Sequence, residues 1–214
     1  MKETTLYLIR HGESLGNAKR IFLGHTDWDL SPRGKEQAAA FAKGTADMHF
    51  DVFYSSDLMR AMNTVKEAAT MRGLPLNTRK DLREIYAGVW EEMLFDEIAE
   101  KYPDEMFVWR NNIGYSCPVG GESVEELQRR ALSAFSAIAE ENEGKTVCIG
   151  THATTIRSAV CALMGKSLSF MAEIPWPGNA SITKVVYSEK GTEVVYMGDE
   201  THLGDLATPA RSKR

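Results

Sequence analysis

The sequence predicts an α/β fold, a three-layer αβα sandwich in which a mostly parallel, mixed sheet carries helices on both faces. Three observations point to it. Short runs rich in β-branched and apolar residues alternate with segments of helical periodicity. Two of those runs, 4–9 and 146–150, lead almost at once into a histidine. Two late runs, joined by Glu189-Lys190-Gly191, supply an antiparallel hairpin.

Residues 4–9 form the first predicted strand and Arg10-His11-Gly12 the turn after it, which puts Arg10 and His11 at a strand's C-terminal end. Ser31-Pro32 reads as an N-cap and first helical residue, Ala38, Ala39, Phe41 and Ala42 as apolar positions, and Gly44 as the stop. A second buried strand is expected over 50–54. Ser55-Ser56-Asp57 then caps a helix whose Ala61, Val65, Ala68 and Ala69 share one face, with Arg60 in its first turn. After a short extended stretch at 76–79, the aromatic and acidic segment 86–118, with Trp90, Phe95, Tyr102, Phe107 and Trp109, reads as an irregular, partly helical cap. It is either a lid over substrate or a packed subdomain, inserted in a single domain spanning 1–214.

Ser123 and Glu126 make a capping box, and Val124, Leu127, Ala131, Phe135 and Ile138 recur at steps of three and four, so a long amphipathic helix runs to about Asn142 before Gly144. Residues 146–150 are the clearest buried strand; Thr151-His152 opens a helix that Gly165 ends. Residues 181–187 and 192–197 form the closing hairpin, and the polar, basic tail 206–214 is expected to fray. Open α/β sheets bind ligands outside the carboxyl ends of their strands, at a switch in strand order, which is where His11 and His152 fall.

A chain of 214 residues, 43% hydrophobic and 26% charged, is sized for one buried core. With a net charge of -5 it lacks the broad basic field that nucleic acid requires, so an anionic ligand must be held by a local cluster of cations. No apolar run reaches the ~20 residues that cross a bilayer, so no membrane partner is expected. The start of the chain carries no secretory pattern, so the cytoplasm is the expected compartment, with the chain a monomer or a homodimer. Cys117, Cys148 and Cys161 are far apart, lack CxxC spacing and read as reduced, structural thiols.

Phosphoryl transfer needs cations on the charged oxygens, an in-line nucleophile and a proton for the departing oxygen. His11 beside Arg10, His152 after another strand and Arg60 at a helix start can converge on one anion from three segments, and the helix N-termini after Asp57 and His152 are expected to add N–H groups. Histidine attacks only when neutral, and adjacent guanidinium groups disfavour a second positive charge on it. Arginine also presents a planar fork that aligns phosphate, which lysine does not.

Leu8-Ile9-Arg10-His11-Gly12-Glu13-Ser14, with Asn17 three residues on, resembles the signature of the histidine phosphatase superfamily, whose fold is also called phosphoglycerate mutase-like. Four further blocks follow in register: Asp29-Leu30-Ser31 with Gly34 and Gln37-Ala38; Ser55-Ser56-Asp57-Leu58 with Arg60-Ala61 and Thr64; Leu82-Arg83-Glu84; and Gly150-Thr151-His152. The resemblance covers nearly the whole chain. It implies a nucleophilic His11, a phosphate pocket of Arg10, Arg60 and His152 assisted by Asn17, Thr151 and Ala153, and Glu84 as general acid and then general base. It implies no metal and no cofactor, and the sequence agrees in lacking HExxH and GxxxxGK[ST]. Ser14, Gly24, His25, Thr26 and Arg110 are candidate substrate contacts, whereas His49 and His202 have no motif support.

The implied activity is that of a histidine acid phosphatase-type phosphoric monoester hydrolase acting on a small phosphorylated metabolite. A phosphoglycerate mutase shares the site, and a non-catalytic phospho-ligand binding module shares the fold. Ile85-Tyr86-Ala87-Gly88-Val89-Trp90-Glu91 resembles phosphatase branches more than mutases. Where those branches commonly place Gly after the Trp-Glu pair, this chain has Glu92.

Overall fold

The computed structural model describes residues 2–208. Its centre is strand β1 (Thr4–Arg10), followed by a short helix α1 (Leu15–Lys19), helix α2 (Pro32–Gly44), β2 (Val52–Ser56), α3 (Met59–Met71) and β3 (Leu76–Arg79). The cap contributes α4 (Phe95–Lys101) and α5 (Pro103–Asn111). Then come α6 (Val124–Glu141), β4 (Thr146–Thr151), α7 (Ala153–Leu163), β5 (Ile182–Ser188) and β6 (Gly191–Asp199). The six strands run in the order β3-β2-β4-β1-β5-β6. The first four are parallel, and the hairpin adds β5 antiparallel to β1 and β6 antiparallel to β5.

Alternation along the strands builds the two outer layers. Leu6, Leu8, Val147 and Ile149 pack on one face with Leu127, Phe135 and Ile156 of α6 and α7; Ile9, Phe53 and Cys148 pack on the other with Phe41 and Val65 of α2 and α3. Burying side chains of this size contributes roughly 1.5–3 kcal/mol each, which is the main force holding helices to sheet. Because β1 and β4 pair in parallel with Arg10 opposite Thr151, both strands end at one level, and His11 and His152 emerge side by side. This is the expected αβα sandwich, and the register explains why the two histidine blocks meet.

Part of the cap packs into the core. Trp90 and Ile98 are fully buried, Met106, Trp109 and Ile113 nearly so, and all five join the core on the α6–α7 side. Phe22 from the loop after α1 sits edge-on to Trp90 at 5.7 Å and to Trp109 at 5.1 Å, which ties that loop to the cap. Glu92 takes φ of 65°. That is the left-handed region an L side chain enters at a cost of about 1–2 kcal/mol, which explains physically why Gly suits this position. Glu92 is exposed, and its N–H, which donates to Phe22 O at 2.8 Å, survives in a glycine. Glu92→Gly is therefore expected to stabilise the fold by about 0.5–1 kcal/mol after the greater entropy of the unfolded glycine is counted, raising Tm by roughly 1–4 °C in a calorimetric scan.

Three local expectations are corrected. The second strand begins at Val52, and Phe50 is a loop residue edge-on to Tyr7 and Phe53. Asp57 does not cap α3, whose N-cap is Leu58 with no side-chain bond. Its carboxylate instead accepts two bonds from Arg83 at 2.6 and 2.7 Å, and Asp27 accepts the Met59 N–H at 2.7 Å in its place. All three cysteines are free, but Cys117 is exposed, whereas Cys148 and Cys161 are buried. The tail expected to fray falls largely outside the described residues; Leu206 closes a 3-10 turn, and its carbonyl accepts from Gln37 at 2.9 Å. No described helix is long and apolar enough to cross a membrane.

Candidate active site

His11 is held on every side. Its N–H donates to Thr151 O at 2.9 Å, its carbonyl accepts from Ala180 N, and the next N–H, of Gly12, donates to Thr64 Oγ1 at 2.9 Å. The ring's Nδ1 lies 2.7 Å from Gly12 O. A carbonyl only accepts, so Nδ1 carries the proton and Nε2 keeps a bare lone pair. The His152 ring centroid is 5.2 Å away, and neither of its buried ring nitrogens has a hydrogen-bond partner among the described residues. Burial, then Arg60 and Arg10, push the His11 pKa well below its ordinary 6.5. Burial, Arg60 and His11 do the same to His152. Two neutral imidazoles thus stand beside each other within the field of two guanidinium groups.

Arg60, although buried, is displaced only to a pKa of about 10 and stays charged at neutral pH. It donates through Nη1 to Thr26 O at 2.8 Å and through Nη2 to Gly24 O at 2.7 Å. Arg10 donates through Nη1 to Pro177 O at 2.6 Å. The Glu84 carboxylate accepts from Ile85 N at 3.0 Å and, at the start of α7, from Thr154 N at 3.1 Å, which fixes it against the first turn of the helix that His152 caps. His25 donates from Nε2 to Glu84 O at 2.9 Å and stands 5.2 Å from the Tyr86 ring. Those two rings, with Gly121, Glu122 and Glu126, border an open hollow of about 470 Å³.

Known proteins match this chain along nearly its whole length. The family described as histidine phosphatase superfamily (branch 1) matches residues 6–200. This chain belongs to that superfamily. Phosphoserine phosphatase 1 of Hydrogenobacter thermophilus is 32% identical over 205 residues, covering 96% of this chain and 97% of its own. Glucosyl-3-phosphoglycerate phosphatase of Mycolicibacterium vanbaalenii is 29% identical, covering 85% of this chain and 83% of its own. The solved structure of Bacillus stearothermophilus YhfR superposes with a TM-score of 0.89 at 30% identity, covering 94% of this chain and 99% of its own. The fold is accordingly phosphoglycerate mutase-like.

The remaining candidates of this superfamily member sort by geometry. Ser14 Oγ accepts the Asn17 N–H at 3.0 Å while Asn17 Oδ1 accepts the Ser14 N–H at 3.1 Å, a capping box at the head of α1. Thr151 Oγ1 donates to Leu82 O at 2.8 Å and so fastens β4 to the Glu84 block, and Ala153 opens α7. Arg110 lies on the exposed side of α5, and no contact joins it to His11 among the described residues. At each helix start expected to offer N–H groups, one N–H is engaged by a carboxylate, Met59 N by Asp27 and Thr154 N by Glu84.

Two residues escape the sequence reading. Glu91 accepts from His25 N at 2.7 Å, Thr26 N at 2.7 Å, Ala87 N at 3.1 Å and the Thr26 hydroxyl, so it holds the loop whose carbonyls seat Arg60. Asn179 donates to His11 O at 3.1 Å. Only the Pro177-Gly178-Asn179 turn just before β5 could have drawn attention to it.

Buried neutral imidazoles carry a stability signature. Unfolded, each binds a proton near pH 6.5; folded, His11 and His152 do so only far lower, so the unfolded state gains protons first as pH falls. Full stability therefore holds above about pH 6.5 and declines below it, by about 1.4 kcal/mol per pH unit for each imidazole. Urea midpoints between pH 7 and 5 are expected to fall, and to fall less steeply in His152→Gln. Parallel slopes would remove His152 from the account.

Proposed function

We propose that the chain hydrolyses a small phosphomonoester through a covalent phosphohistidine on His11. The observation that carries this reading is the fixed tautomer, with Nδ1–H on Gly12 O and a bare Nε2 among Arg10, Arg60 and His152. The phosphoryl oxygens take donors from both guanidinium groups, from His152 and from the Asn17 amide. Nε2 attacks phosphorus in line, the ester P–O bond breaks, and Glu84 protonates the departing oxygen. Glu84 then takes a proton from water as that water attacks phosphorus, releasing phosphate and restoring Nε2. We assign the leaving group to the side of Glu84, whose carbonyl accepts from His25 Nε2.

Three readouts test this. A panel of phosphomonoesters, with phosphoserine first because the relative at 32% identity bears that name, is expected to yield inorganic phosphate with or without chelator. Acid-labile label is expected on His11 after rapid quenching, and none in His11→Ala. Release of an isomerised phosphoester instead of phosphate would identify a mutase. Glu84→Gln is expected to slow alkyl phosphate esters by about 10²–10⁴-fold. It is expected to spare the initial burst of p-nitrophenolate from p-nitrophenyl phosphate, whose leaving group needs no proton, while the later water attack slows for both esters. Equal losses in that first step on both esters would take the general acid role away from Glu84.

A further inference from the structure

One short segment, from Pro177 to Ser181, touches three of the pocket's groups at once. Pro177 O accepts from Arg10, Ala180 N donates to His11 O, and Asn179 Nδ2 reaches both His11 O at 3.1 Å and Asn17 Oδ1 at 3.3 Å. Ala180 takes φ of 57°, a left-handed conformation that alanine resists, so this backbone path is kept against local strain. The turn is anchored from behind by Asn179 N donating to Thr208 Oγ1 at 2.9 Å.

The geometry points to Asn179 as a positioning residue that sets the amide of Asn17 and the main chain of His11 together. Asn17 Oδ1 accepts from both Ser14 N and Asn179 Nδ2. Were the amide turned over, its own N–H₂ would face two donors, so this pair of contacts leaves Asn17 Nδ2 as the group that meets a phosphoryl oxygen. Asn179 is itself 7% exposed and supplies two N–H bonds from a single nitrogen. A carboxylate at 179 would oppose two oxygens, and a hydroxyl could serve only one of them. The requirement is therefore for this side chain and not merely for a polar one.

The inference rests on the phosphohistidine reading for its role in turnover, but its test also runs on binding alone. Calorimetric affinity for inorganic phosphate is to be measured on the full chain as wild type, Asn17→Ala, Asn179→Ala and the double variant. Asn179→Ala is expected to weaken phosphate about tenfold in the wild-type background and less than about twofold once Asn17 is already alanine. Thermal midpoints of the two Asn17→Ala chains report any general loss of fold. If Asn179→Ala does not fold, Asn179→Ser, which keeps one donor, is expected to show an intermediate loss that also shrinks without Asn17. The same fold-loss in both backgrounds, or no loss in either, overturns the inference. A chain that binds phosphate with this coupling yet turns over no ester would refute the proposed hydrolysis while leaving Asn179 in place.

Discussion

His11→Ala is expected to lower kcat on any substrate by about 10⁴–10⁶-fold, since losing the nucleophile removes the covalent route altogether. Phosphate binding should persist, because Arg10, Arg60 and His152 remain and the lost ring was neutral rather than a source of charge. The same variant should be less sensitive to mild acid than wild type, as one of the two imidazoles that the fold keeps unprotonated is gone. Steady-state rates, phosphate calorimetry and urea midpoints at two pH values check the three consequences. A residual rate within tenfold of wild type would mean that the group attacking phosphorus is not this imidazole.

Much of this site was legible from residue order. The strands at Thr4–Arg10 and Thr146–Thr151 announce themselves by β-branched composition, and each is followed at once by a histidine, so placing both at one end of a parallel sheet needed only the general topology of such folds. Helix α6 was equally plain, its Ser123–Glu126 box being a local signal. What stayed hidden depends on partners far along the chain. Asp57 follows two serines and looks like a cap, yet its partner is Arg83, 26 residues on. Glu91 lies among several acids, and nothing near it tells that it grips a loop 65 residues earlier. Asn179 is 168 residues from His11 and sits in a turn without periodicity. Periodicity and caps report neighbours within a turn or two, whereas these contacts exist only once the sheet has brought the strand ends together.

Arg60 is where geometry and electrostatics make separable predictions. Its guanidinium fork is aimed by Gly24 O and Thr26 O, so Arg60→Lys keeps the charge but loses both the aim and the paired bonds to phosphate; a loss of about 10²–10³-fold in kcat/KM is expected. Arg60→Met loses the charge as well. Arg60 follows burial as the next-largest cause holding the His11 pKa down, so removing it lets that pKa rise toward 6.5. Catalysis requires the neutral ring, so activity in Arg60→Met should begin to fall at a higher pH on acidification than in Arg60→Lys, where the cation survives. Profiles of kcat/KM between pH 4 and 8 make the comparison, and the substrate's own ionisation cancels because both variants share it. Coincident acid limbs would mean that Arg60 serves His11 only by shape, and the depressed imidazole would then owe its neutrality to burial and Arg10.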